Sequence, residues 1–175
     1  DIKRDALNLF IELTGINFNI VSQELSKLML YIRDRPTVNK DDVNQIINRS
    51  LEQNVFLLTE YIQKGKKDKA IQLLNDLITM KLETLKLLSL ITTKYRINYQ
   101  SKILEQKGYS GQQIAKTVSA HPYRVKLALN QARYYQLNDL LNIIDSCAET
   151  DYKLKSSYMD KNLILELLIL SLYIN

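Results

Sequence analysis

The sequence predicts an all-α protein in which a small three-helix bundle is followed by a larger helical domain. Three observations carry that expectation. Four glycines and two prolines in 175 residues are too few for the repeated tight turns of a β-sandwich or barrel. Apolar residues recur at three- and four-residue spacing along most of the chain, the period of one helix face. Stop and start signals punctuate that pattern: Gly15, Gly65 and Gly108 end helices, while Asn39, Ser110 and His121-Pro122 begin them. Apolar residues make up 46% and charged residues 25%, so the chain can bury a core and disorder is excluded as its main state.

The elements follow in order. Ile2, Ala6, Leu9, Phe10 and Leu13 share a face and predict a helix over 2–13, stopped by Thr14-Gly15. Phe18, Val21, Leu25, Leu28 and Ile32 predict a second helix from about Asn17, ending before Arg35-Pro36. At the third, Asn39 caps and Asp42 returns the bond, Val38 and Val43 are spaced as a hydrophobic staple, and Val43, Ile46 and Ile47 face inward. Residues 1–48 form the first domain and 49–175 the second. Helices over 54–64 and 66–80 make a hairpin around Gly65, with a basic corner of Lys64, Lys66, Lys67 and Lys69. A long helix over 83–107 stops at Gly108. Ser110 then caps with Gln113 as its box partner, Tyr109 and Ile114 forming the staple. Pro122 opens the next helix where its missing N–H costs nothing, and helices over 136–149 and 157–173 complete the chain. No side-chain pattern repeats at a period of about 20 to 50 residues, which argues against a solenoid.

Composition also excludes functions. A single Cys and a single His cannot supply a structural zinc site or a disulfide framework; calcium or magnesium held by carboxylates stays open, with no loop motif to support it. The four glycines do not make a P-loop. No cofactor is expected. The charged start, Asp1-Ile2-Lys3-Arg4-Asp5, is not a signal peptide, and the absence of an initiator Met suggests a fragment. The most apolar run, Leu163 to Ile174, is broken by Glu166 and is shorter than the roughly 20 residues a membrane span requires. A cytoplasmic setting is expected. The net charge of +5 permits contact with nucleic acid or an acidic partner.

Few residues suggest catalysis. His121, before Pro122, reads as a helix cap rather than a catalytic imidazole, and Cys147, among Ile143, Ile144 and Ala148, reads as buried and inert. Residues 110–133 have the grammar of a helix-turn-helix, with Arg124, Lys126 and Arg133 on the second helix. They therefore offer an alternative function, a DNA-binding regulator. Against it, Val125, Leu127, Ala128 and Leu129 give that helix an apolar face. Asp151 to Tyr158 interleaves tyrosines with lysines at an expected helix junction, the combination that stacks bases and holds phosphates; the bland reading is a loop with anchoring tyrosines. In the last helix, Leu163, Ile164, Leu165, Leu167, Leu168, Ile169, Leu170 and Leu172 cover nearly every side, more than one small domain buries. Leu163, Leu167 and Leu170 are the expected interface residues.

Several stretches together resemble the C-terminal part of the delta subunits of bacterial DNA polymerase III clamp loaders. They are Gly15 with Gln23-Glu24-Leu25-Ser26-Lys27-Leu28, the Val38 to Val43 helix start, Asn54-Val55-Phe56-Leu57-Leu58, Lys69-Ala70 and Tyr95-Arg96. The series continues with Ile114-Ala115-Lys116, His121-Pro122-Tyr123, Gln131-Ala132-Arg133, Asp151 with Leu154-Lys155, and Leu165-Glu166. The resemblance implies that residues 1–48 are the latter part of an AAA+ lid and 49–175 a helical collar. It implies a non-catalytic subunit that assembles with subunits of the gamma/tau and delta-prime type and supports loading of the sliding clamp onto primed DNA. The clamp itself would be met only by an N-terminal AAA+-like domain that this sequence does not include. Primer–template DNA is then the nucleic-acid partner, with Tyr158, Lys153 and Lys155 as expected contacts, and no membrane is involved.

Overall fold

The computed structural model describes residues 1–33 and 35–173, and every described element is a helix: ten of them, with one isolated pair of bridged residues. The chain divides into two compact units, Asp1–Leu57 and Leu58–Asn175.

In the first unit, α1 (Arg4–Thr14), α2 (Phe18–Ile32) and α3 (Lys40–Ile46) enclose one cluster of Ala6, Phe10, Leu28, Val38, Val43 and Ile47. Gly15 ends α1 at φ 75°, where a side chain would be strained, and a Cβ there would come within 2.8 Å of Gln53 Nε2. Asn17 caps α2. The expected box at α3 is present: Asn39 Oδ1 accepts from the N–H groups of Asp41 and Asp42, and Asp42 Oδ2 accepts from Asn39 N–H at 2.9 Å. Arg35 donates to the same carboxylate at 2.8 Å. The backbone bond from Asn39 and the guanidinium of Arg35 together hold the Asp42 carboxyl below its ordinary range, against the opposing effect of burial. Ile2 and Val38 are bridged in parallel.

Helix α4 (Leu51–Gln63) begins three residues before the expected Asn54, because Ser50 is the cap: its Oγ accepts from Gln53 N–H at 3.3 Å. The division between the two compact units, between Leu57 and Leu58, falls inside this helix.

The second unit is organised around α6 (Thr84–Gln106), which packs on α7 (Gly111–Thr117), α8 (Pro122–Ala132), α9 (Leu137–Ser156) and α10 (Lys161–Ser171). Helix α5 (Lys67–Thr79) lies against α10. The inner face of α6 carries Leu87, Leu88, Ile91 and Tyr95 and then turns polar at Asn98 and Ser101, all buried. Asn98 Nδ2 donates to Gln131 Oε1 at 3.1 Å, and Gln131 Nε2 donates to Thr59 Oγ1 at 3.2 Å. One buried glutamine therefore ties α4, α6 and α8 together. Lys102 on α6 donates to the carbonyls of Ala132, at 2.8 Å, and Tyr135, placing a cation on the C-terminal carbonyls of α8. Tyr95 and Tyr135 meet edge to face with ring centroids 6.0 Å apart.

Two expected boundaries are corrected. Helix α9 does not stop near residue 149; it continues to Ser156. Its inner row Leu140, Ile143, Cys147, Thr150 and Leu154 keeps helical spacing without a break, and pairs from Glu149 to Lys153 and Asp151 to Lys155 lace its last turns. The last helix starts at Lys161 rather than 157, because Asp160 is its cap. Ile174, at the end of the apolar run, lies outside the described residues.

The buried glutamine gives a first prediction. Gln131→Met leaves Asn98 without its acceptor and should destabilise the protein by about 1–3 kcal/mol, measured by urea denaturation. Adding Asn98→Leu should recover part of that loss, because removing both polar partners is cheaper than orphaning one.

A second concerns Lys94, whose ammonium is withdrawn from water on α6, lowering its pKa to about 8. Between about pH 8 and 10.4, the ordinary value, the unfolded chain holds this proton and the folded chain does not. Wild-type stability therefore gains from this group as pH rises through that window. The stability of Lys94→Met minus that of wild type should fall between pH 8 and 10; a constant difference in denaturant midpoints would show that Lys94 titrates normally.

Candidate functional site

The residues expected to meet DNA or other subunits lie on the end of α9, the connection after it, and α10. Lys153 and Lys155 are not loop residues; both stand on the last turns of α9. Each is already paired one turn back, Lys153 with Glu149 at 2.8 Å and Lys155 with Asp151 at 2.5 Å, and all four side chains are exposed. The hydrogen bond from Lys153, then its charge, holds the Glu149 carboxyl below its usual value. Phosphate would have to compete with these carboxylates, although exposed pairs of this kind are weak.

Tyr158 does not open the last helix. It stands between α9 and α10, after Ser157, whose Oγ accepts from Met159 N–H at 3.1 Å, and before the cap Asp160. Asp160 Oδ1 accepts from the N–H groups of Asn162 and Leu163, both at 2.9 Å. With this connection pinned at both ends, the tyrosine ring is left fully exposed at 107%. Tyr152, one turn before the end of α9, is also exposed.

Helix α10 sorts its apolar residues by face. Ile164, Leu165, Leu168, Ile169 and Leu172 are buried, against α5, α6 and α9. Leu163, Leu167 and Leu170 are 45%, 49% and 44% exposed and follow one another at four- and three-residue spacing, so they form one stripe on the outer side. These are the three leucines that the sequence offers as interface residues, and the structure leaves all three exposed.

The remaining candidates have structural roles. His121 Nδ1 accepts from Tyr123 N–H at 3.2 Å, capping α8. Cys147 is buried, and burial pushes its thiol up. The corner between α7 and α8 is a packing unit: Ile114, Ala115 and Val125 are buried together, with Leu104, Val118, Ala120 and Leu129 against them. Ser110 and Gln113 form the expected box, while Tyr109 is 44% exposed. The turn itself passes through Ser119 at φ 52°. Since the face of α8 with Val125, Ala128, Gln131 and Ala132 is buried, the regulator reading is not favoured. The sequence reading missed the buried Thr59, Gln131 and Asn98 chain and the Lys102 anchor. The signal for them is a pair of polar residues, Asn98 and Ser101, continuing the apolar row of α6. No described helix is long and apolar enough to cross a membrane.

Comparison with known proteins gives the chain its family. The family described as DNA polymerase III delta subunit, C-terminal domain, matches residues 52–172. The DNA polymerase III subunit delta of Bacillus subtilis (strain 168) is 37% identical over 171 residues, covering 98% of this chain and 49% of the relative. The probable DNA polymerase III subunit delta of Aquifex aeolicus (strain VF5) is 25% identical over 164 residues, 91% of this chain and 46% of the relative. Among solved structures, the Bacillus subtilis DNA clamp loader delta protein matches with a TM-score of 0.94 at 37% identity, covering 98% of this chain and 51% of that one. The chain thus spans about half the length of the curated relatives it matches. With the helices, their order and most of its length shared with those relatives, this chain belongs to the family of DNA polymerase III delta subunits, as their C-terminal part.

Proposed function

We propose that this chain is the assembly part of a clamp-loader subunit, working in the bacterial cytoplasm without catalysing a step of its own. In this reading residues 1–48 are the remainder of an AAA+ lid, and residues 49–175 are a collar that joins subunits of the gamma/tau and delta-prime type. The joined ring then loads the sliding clamp onto primed DNA, the clamp being met by the part of the subunit that precedes these residues. The observation that carries the reading is the outer stripe of α10. Leu163, Leu167 and Leu170 are nearly half exposed on a helix whose other apolar residues are buried, and apolar stripes of this kind belong to interfaces.

The test uses the full-length subunit. Leu167→Glu should weaken assembly with the other clamp-loader subunits at least tenfold, because burying one leucine contributes about 1.5–3 kcal/mol. The melting temperature should stay unchanged, since the side chain stands outside the core. Size-exclusion chromatography and surface plasmon resonance give both readouts, and a complex of undiminished affinity overturns the reading.

The DNA contact in this reading is Tyr158, with Lys153 and Lys155 supplying charge beside it. A fully exposed ring close in sequence to two exposed lysines suits an unpaired base where the duplex ends, an interaction that contributes about 1–3 kcal/mol. Tyr158→Ala should reduce binding of the assembled complex to a primed template, with subunit assembly intact, and Tyr158→Phe should be nearly silent. Equal behaviour of the two variants would leave Tyr158 with no stacking role.

A further inference from the structure

We propose that the cleft between α7 and α8 is a docking site for a short acidic segment of another protein, one that pairs at least two carboxylates with an apolar side chain. The cleft has a volume of about 530 Å³ and is lined by Ser110, Gly111, Gln112, Pro122, Lys126, Leu129, Asn130 and Arg133.

The chemistry of the lining selects the ligand. Leu129 and the Pro122 ring give the cleft an apolar part of its lining, while Lys126 and Arg133 bring two positive charges and no Asp or Glu is among the residues that line it. Neither cation forms an ion pair or a side-chain hydrogen bond with another described residue. Asn130 and Gln112 add amide groups that can meet a peptide backbone.

Spacing narrows the occupant further. Lys126, Asn130 and Arg133 lie along one exposed side of α8, and seven residues of helix place the two cations about 10 Å apart. In an extended polyproline-type segment, side chains three residues apart are about 9 Å apart on the same side. Two carboxylates at that spacing reach both cations, and an apolar residue between them reaches Leu129. Nucleic acid fits less well. A strand is held by a continuous track of cations and by aromatic rings under its bases; this cleft offers two cations, and no aromatic ring is among the residues that line it.

The experiment uses the full-length subunit and a panel of fluorescein-labelled hexapeptides, each with two to four acidic residues around one Leu, Ile or Phe, read by fluorescence anisotropy at about 50 mM salt. At least one peptide should bind in the micromolar range and weaken on raising the salt. Lys126→Gln combined with Arg133→Gln should weaken it tenfold or more, whereas Lys126→Arg, which keeps the charge, should not. Replacing the apolar residue of the peptide with Ser should also weaken binding. The proposal is overturned if no peptide binds, if the double variant binds like wild type, or if a dT hexanucleotide binds more tightly than every peptide. Subunit assembly should be intact in the double variant, so loss of assembly tests the clamp-loader reading and loss of peptide binding tests this one.

Discussion

Gln131 is a buried amide with partners at both of its ends, and it finds them on two other helices. Its nitrogen donates to Thr59 on α4 and its oxygen accepts from Asn98 on α6. Apolar contacts tolerate small rotations and slides of one helix over another; directional bonds in a dry interior do not. The leucines and isoleucines of the second unit supply most of its cohesion, while this chain of three side chains selects one arrangement of α4, α6 and α8. Lys102 reinforces that choice by holding the carbonyls at the end of α8 from the side of α6.

The same constraint explains why a helix-turn-helix grammar leads elsewhere in this protein. The helix in the reading position, α8, also carries the central glutamine, so its inward face must stay inside the unit. Its outward side keeps Lys126, Asn130 and Arg133, and these residues line the cleft with the start of α7 rather than an open surface. The basic residues of such a motif therefore do not imply base recognition when the second helix is committed to a core.

What could be read from the sequence was mostly local. The boxes at Asn39 with Asp42 and at Ser110 with Gln113, and the cap at His121, involve residues two or three apart, so spacing alone reveals them. The cap at Ser50 has the same signature, Ser50 followed by Gln53, and was passed over because the apolar pattern becomes clear only after it. The end of α9 was misread for a physical reason. A turn rich in Asp, Lys and Tyr looks like a solvated loop, but charges four residues apart with opposite sign stabilise helix. The excess of leucines on α10 is legible in the sequence, with Leu163, Leu167 and Leu170 as the expected outer residues, and the packing of α5, α6 and α9 against the opposite face leaves those three exposed. The Gln131 chain and the α7–α8 cleft join residues from separate helices, and no periodicity within one helix can disclose them.

Cys147 is the one cysteine in the sequence, and it lies inside α9 with its thiol pushed up by burial. Since the thiolate is the reactive form, this sulfur is shielded twice, by access and by protonation. Within these residues the thiol is therefore a slow target for thiol reagents in the folded state. A cysteine placed on an exposed position, such as Tyr152 or Leu170, becomes the one reactive thiol of these residues without removal of the native one. Fluorescent or spin labels can then be set along α9 and α10 one at a time within these residues.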